Sequence, residues 1–339
     1  MIYYPEPLKQ GDKIGIVAPS SGVTGIFEEK LNRAIQNIEK LGYSCIESPS
    51  LRQNEHLASA SATIRAKEFE DLYNKDEIKA IIPPWGGQFL IDILPHLQFH
   101  NLKTPKWILG FSDISTLLFS VTLSKHFATA HGPNLLDFGN HMIDHSVLNS
   151  LKILSTNIGE SFTQSELDFY QTEWLDMKED YFPPYNLTEK VEWKSIIGDD
   201  NEFKGRLIGG CLDTIGKLIG TPYAPVKEYI EKFQKDGFVW YFESCEMNSS
   251  DIYRTLFQMR LAGWFNHCKG LLYGRPDGYQ DVGGFTLEDA LKKFNEGLDI
   301  PILYNVDLGH IPPQLTYVNG SLAEVSFLNG KGQIRQTLT

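Results

Sequence analysis

The sequence predicts an α/β protein of two domains, and three observations carry the prediction. Short apolar runs alternate with amphipathic stretches through the first half, the pattern of parallel strands joined by helices that cover both faces of a sheet. Between about 150 and 203 that pattern breaks into aromatic, acidic and Pro residues without a period, and beyond it αβ alternation resumes. At 339 residues the chain exceeds what one ordinary core holds. The expected organisation is an N-terminal α/β domain over 1–150, a connector and site loop over 151–203, and a C-terminal domain over 204–339.

The elements follow in order. KIGIVAPS (13–20) reads as a buried strand ending in a small-residue loop. Leu31, Ile35, Ile38 and Leu41 recur at helical spacing in 28–43 and stop at Gly42, a helix terminator. SCIESP is a second strand and SATIRAKEFEDLYN (61–74) a second helix. KAIIPP (79–84), KWILGFS (106–112) and ATAHGP (128–133) supply further strands, with helices expected to begin near Gln88 and Ile114. In the second region FKGRLIGG, GFVWYFES (237–244), KGLLYG and PILYNVD read as strand segments, CLDTIGKLIG and DIYRTLFQMRLAGWF as helices. NGSLAEVSFL is a strand after a turn at Asn319-Gly320.

Bulk properties exclude several classes. A net charge of −12 argues against nucleic acid as a partner, since phosphate binding needs a basic surface. No apolar run approaches the roughly 18 residues of a membrane span, so no membrane partner is expected. The N-terminus lacks the pattern of a signal peptide. Cys45, Cys211, Cys245 and Cys268 are scattered, which fits reduced thiols in a cytoplasmic protein. Metal-binding spacings and the G-x-G-x-x-G fingerprint are both missing, so neither a metal nor a dinucleotide cofactor is expected.

Ligands of parallel sheets sit at the carboxyl ends of strands, and four segments there carry chemistry. In KWILGFSDIST an apolar strand runs into Ser112-Asp113 at a helix start, where a serine stands out of the sheet over backbone amides; the plainer reading is an N-cap. In AIIPPWGGQ, Gly86 and Gly87 let the backbone approach a ligand and aim amides at it, with Trp85 beside them; the plainer reading is a tight turn with Trp85 as packing. Glu243 ends the apolar strand GFVWYFES, where a carboxylate needs a partner such as a histidine. Glu246 is the rival acid. His310 follows a strand in NVDLGHIPPQ, and His131, in ATAHGPN, is the rival base.

Taken in order, GDKIGIVAPSSG, PPWGGQ, KWILGFSDIST, TAHGPN, GRLIGGCLDTIGKLIGTPY, YFES and NVDLGHIPPQLT resemble the LD-carboxypeptidase family of serine peptidases over most of the chain. That family includes muramoyltetrapeptide carboxypeptidases and the immunity peptidases that inactivate microcin C. The resemblance implies Ser112 as nucleophile, Glu243 as acid and His310 as base, with an oxyanion hole from the amides of Gly87 and Asp113. It implies a Rossmann-like N-terminal domain, a C-terminal α/β domain with a β-barrel-like core, a homodimer, no cofactor, and a small peptide as partner. Gly86 and Trp85 would border the substrate. The sequence departs from the family in having Trp85 before the glycine pair, where many members have Arg, and Cys211 where Asn is common. The longer 160–190 stretch is similar to the microcin-immunity branch, in which a tryptophan holds the nucleotide part of the substrate; Trp174 is its candidate here, or else a buried anchor. Two substrates stay open: the L,D bond of a murein tetrapeptide, and a microcin-type peptidyl or aminoacyl nucleotide. From another class, a two-domain binding protein without chemistry is the alternative.

Overall fold

Four of the five strand segments in the first half are largely buried, as a parallel sheet under two helical layers requires, and the edge segment 44–47 is part exposed. The computed structural model describes residues 1–173, 184–198 and 200–339. β1 (Lys13–Ile16), β2 (Ser44–Glu47), β3 (Ile78–Ile81), β4 (Trp107–Gly110) and β5 (Thr129–His131) are all parallel, in spatial order β2-β1-β3-β4-β5. The connecting helices are α1 (Glu28–Lys40), α2 (Ala62–Tyr73) and α3 (Ser115–Lys125), followed by α4 (His145–Leu154). α1 buries Leu31, Ala34 and Ile38 on one face, and Gly42 takes φ +93 just past its end.

The helix expected from Gln88 does not form. Only a 3-10 turn, Leu90–Ile93, is present. Its first amide, Leu90 N, donates to the Asp113 carboxylate at 2.9 Å, and Pro95 brings no amide with which a helix could continue.

The second sheet has eight strands. The stretch expected as a connector contributes β6 (Ser161–Ser165) and, after a small ribbon of β7 (Phe169–Tyr170) and β8 (Glu189–Lys190), β9 (Lys194–Ser195). Then follow β10 (Asn201–Cys211), α5 (Leu212–Ile215), α6 (Val226–Phe233), β11 (Phe238–Glu243), α7 (Ser249–Leu261), β12 (Cys268–Gly274), α8 (Leu287–Asn295) and β13 (Ile302–Val306). After β14 (Tyr317–Asn319), the chain closes with β15 (Leu322–Leu328) and β16 (Lys331–Thr337). The order is β6-β16-β15-β10-β11-β12-β13-β9. β10 to β13 are mutually parallel, and the flanking pairings are antiparallel.

The sheet curls around its own core of Trp193, Phe203, Leu207, Tyr241, Leu303 and Phe327. Its two ends come close: a Cβ at Gly332 of β16, which pairs with the end strand β6, would lie 2.1 Å from the ring of Trp193, next to the other end strand β9. This is the barrel-like core of the second domain.

Two devices lock the domains together. β14 pairs antiparallel with β5 and so completes the first sheet. Asn319 at its end accepts from Gly209 N (3.0 Å) and Tyr241 OH (2.9 Å), and donates to Thr129 Oγ1 (3.3 Å). Ser115, at the start of α3, accepts from Cys211 N at 3.0 Å. The carboxyl ends of β4 and β11, and the loop after β13, are thereby held at one seam.

Candidate active site

β4 is apolar and fully buried up to Gly110, where a Cβ would meet Asn134 Oδ1 at 2.7 Å. Phe111 is extended, and its amide donates to Asn134 Oδ1 at 3.2 Å. Ser112 then takes φ +64 and opens the 3-10 turn that leads into α3. A left-handed serine costs about 1–2 kcal/mol relative to ordinary backbone. That strain is what a nucleophile turn between strand and helix carries.

The glycine pair is fitted to this turn. A Cβ at Gly86 would lie 2.8 Å from both Cβ and Oγ of Ser112, and 3.0 Å from the Asp113 amide. At Gly87, which has φ +148, it would lie 2.3 Å from Ser20 Oγ. Glycine is therefore a packing requirement at both positions: Gly86 brings its backbone against Ser112, and Gly87 against Ser20 and Ser21. Trp85 is tied back into its own domain: its indole N–H donates to Ser21 O at 3.1 Å, and its ring meets Phe27 edge-on at 5.0 Å. The Asp113 carboxylate accepts from Ser20 Oγ (2.6 Å) and Leu90 N (2.9 Å). Burial raises its pKa, and these hydrogen bonds offset part of that rise. Its side chain thus fastens the Ser112 turn to the loops after β1 and β3.

Across the seam, Glu243 ends β11 with no solvent exposure. Its Oε2 lies 2.8 Å from His310 Nδ1, and the imidazole is 12% exposed. The loop approaches so closely that a Cβ on Gly309 (φ +101) would strike Glu243 Cβ at 2.6 Å. Burial alone would raise the Glu243 pKa, but His310 outweighs it and holds the carboxyl below its usual range. Burial alone would lower the His310 pKa; the Glu243 carboxylate, with Cys245 beside the ring, holds it well above its ordinary value instead. With Nδ1–H donating to the carboxylate, Nε2 is the nitrogen left to take a proton. The ring of Phe111, next to Ser112, meets the His310 ring at 4.9 Å. A narrow cleft opens beside it, lined by Phe111, Pro133, Asp137, Tyr185, His310 and Gln314.

Neither rival hydrogen-bonds the Glu243–His310 pair among the described residues, although His131 lies near enough to feel both charges. His131 is fully buried in β5, with Nδ1 3.4 Å from Ser115 Oγ, and burial depresses its pKa to about 4. Glu246 is exposed, and among the described residues only its amide is engaged, with Asp213 Oδ1 at 3.0 Å. Trp174 lies outside the described residues.

Sequence reasoning missed Asp213, whose carboxylate receives the amides of Cys245 (2.9 Å) and Glu246 (3.0 Å) and shapes the turn after Glu243. It also missed Arg275 and Asp307, a buried ion pair at 2.8 Å behind the His310 loop. Both are charges directly after apolar strands, the same signal that marked Glu243.

The fold and this site define a two-domain α/β protein with a buried carboxylate–imidazole pair. Residues 14–132 match the LD-carboxypeptidase N-terminal domain and residues 204–325 the LD-carboxypeptidase C-terminal domain. The chain belongs to the LD-carboxypeptidase family. The microcin C7 self-immunity protein MccF of Escherichia coli is 24% identical, over 95% of this chain and 93% of that one. Its structure complexed with aspartyl sulfamoyl adenosine has a TM-score of 0.85 at 23% identity, covering 100% of this chain and 99% of that one. A muramoyltetrapeptide carboxypeptidase from Oxalobacter formigenes has a TM-score of 0.74 at 20% identity, covering 96% and 98%. These likenesses establish the fold. Among the described residues no helix is long and apolar enough to cross a membrane.

Proposed function

We propose that the protein is a serine carboxypeptidase that hydrolyses the bond before the C-terminal residue of a small peptide, namely the L,D bond of a murein tetrapeptide. The observation that carries this is the 2.8 Å Glu243–His310 bond, set in a family of carboxypeptidases, with the His310 ring 4.9 Å from that of Phe111, the residue before the left-handed Ser112. Ser112 Oγ attacks the scissile carbonyl as His310 Nε2 takes its proton, and Glu243 fixes the tautomer and stabilises the imidazolium. The amides of Gly87 and Asp113 receive the oxyanion. Collapse breaks the C–N bond as the imidazolium protonates the leaving amine. Water, deprotonated by the same imidazole, then frees Ser112. Trp85 and Gly86 border the substrate. The enzyme acts as a cytoplasmic homodimer in this reading.

A second substrate, a peptidyl or aminoacyl nucleotide of the microcin type, is favoured by the higher structural similarity to MccF, 0.85 against 0.74. Incubating purified protein with a murein tetrapeptide and with an aminoacyl sulfamoyl adenosine separates the two by product analysis. Ser112→Ala is expected to abolish turnover, by about 10⁴-fold or more, while leaving the fold intact. Full activity in that variant would remove the catalytic assignment. Tight binding of either ligand by wild-type protein without any cleavage would favour the binding-protein alternative.

A further inference from the structure

The loop that carries His310 is fastened from behind by one side chain. Arg275 follows β12 and is 4% exposed. Its Nη1 donates to Asp307 Oδ1 at 2.8 Å and to Asn305 O at 3.4 Å; its Nη2 donates to Pro313 O at 3.1 Å and to Ile311 O at 3.3 Å. The guanidinium carbon lies 4.6 Å from the centre of the Tyr170 ring. One planar fork therefore binds the strand before the loop and the backbone just after His310. Asp307 completes the staple. Its Oδ2 accepts from Trp193 Nε1 (2.9 Å) and Leu167 N (3.0 Å), and its carbonyl accepts from Leu315 N (2.9 Å), closing the base of the loop.

We propose that Arg275, braced by Asp307 and Tyr170, is a positioning residue that holds His310 in register with Glu243; this rests on the serine-carboxypeptidase reading. A buried ion pair is weak evidence for stability, since apolar groups of like volume often serve as well. What apolar groups cannot supply is directed donors to two carbonyls on the far side of His310. Lysine cannot supply them either: its ammonium is a point charge, while the fork is planar and spans several acceptors. A loop loosened by about 1 Å misplaces the base and lowers turnover on the order of 10²-fold.

The test is Arg275→Lys, read in two ways. In the hydrolase assay, kcat falls about 10- to 100-fold while KM changes little. In an NMR titration of His310 without substrate, the imidazole pKa moves down from its elevated value, because the carboxylate that raises it is less well aligned. A purely structural role would lower the melting temperature yet leave the titration of the folded protein where it was. A folded Arg275→Lys with wild-type kcat and an unmoved His310 titration overturns the proposal. Should that variant fail to fold, Tyr170→Leu removes only the ring over the guanidinium; a smaller shift in the same direction is then expected, and none overturns the proposal. The titration separates the two ideas: wild-type protein that cleaves nothing sinks the proposed function, while the His310 pKa still reports on the staple.

Discussion

Replacing Glu243 by Gln keeps the side chain's shape and removes its charge, and the site dictates which way the new amide faces. Oε2 is bonded to His310 Nδ1, whereas Oε1 is buried without a hydrogen-bond partner among the described residues. If the amide NH₂ took the Oε1 position it would be buried without an acceptor, at a cost of about 1–3 kcal/mol. Turning it toward Nδ1 avoids that cost and leaves an unpartnered oxygen, as in the wild type. The favoured rotamer therefore donates to Nδ1, which forces the proton onto Nε2, the nitrogen that the proposed mechanism requires to accept from Ser112. A base in the wrong tautomer, stripped of its counter-charge, is expected to lose about 10⁴-fold in kcat, or about 5.5 kcal/mol of transition-state stabilisation. The His310 pKa should fall at the same time, since burial is then left largely unopposed. Steady-state kinetics and a histidine NMR titration check both. Retention of more than about a tenth of wild-type kcat, with His310 titrating as before, would refute this account of the dyad.

How much of this was readable beforehand depends on contrast with the local sequence. Ser112 and Glu243 stood out because each is the first polar side chain at the end of an apolar run; after β13 Asp307 comes first, and His310 stood out only as a histidine in the loop beyond it. β16 was not legible. It alternates Gly332, Ile334 and Gln336 toward the core, and Gln336 is buried because it satisfies Val318 N and Thr316 O at 2.8 and 2.9 Å. A strand whose inward face holds glycine and glutamine shows no hydrophobic alternation. β6 and β9 hid in the aperiodic stretch for a related reason: they lie at the two ends of the sheet and bury little. β14 is three residues long, and nothing local indicates that it leaves its own domain to pair with β5. The helix expected from Gln88 failed because apolar spacing was present without room to propagate before Pro95. Arg275 carried the same strand-end signal as Glu243, but nothing near it or Asp213 in the chain points to the partners they hold 30 to 38 positions away.

Three further perturbations extend the same reasoning. Gly86→Ala places a methyl 2.8 Å from Ser112; the turn must shift, and kcat should fall about 10²-fold if Ser112 is the nucleophile, whereas unchanged kcat would count against Ser112 in that role. Because the base must be neutral to act, and Glu243 holds His310 well above 6.5, kcat/KM should climb with pH through an apparent value above 6.5, and a rising limb centred below it would contradict the dyad geometry. The same pair sets a stability window. The contribution of His310, whose folded pKa is raised, is complete below 6.5 and is lost as pH rises through the elevated value. That of Glu243, whose folded pKa is lowered, is complete above 4.5 and is lost as pH falls through the depressed value. Both are present together between about 4.5 and 6.5. The gap in melting temperature between wild type and Glu243→Gln should be widest in that interval and narrow toward alkaline pH. A gap that widened with rising pH would mean that the imidazole is not charged in the folded resting state, and that the carboxylate stabilises something other than the histidine it touches.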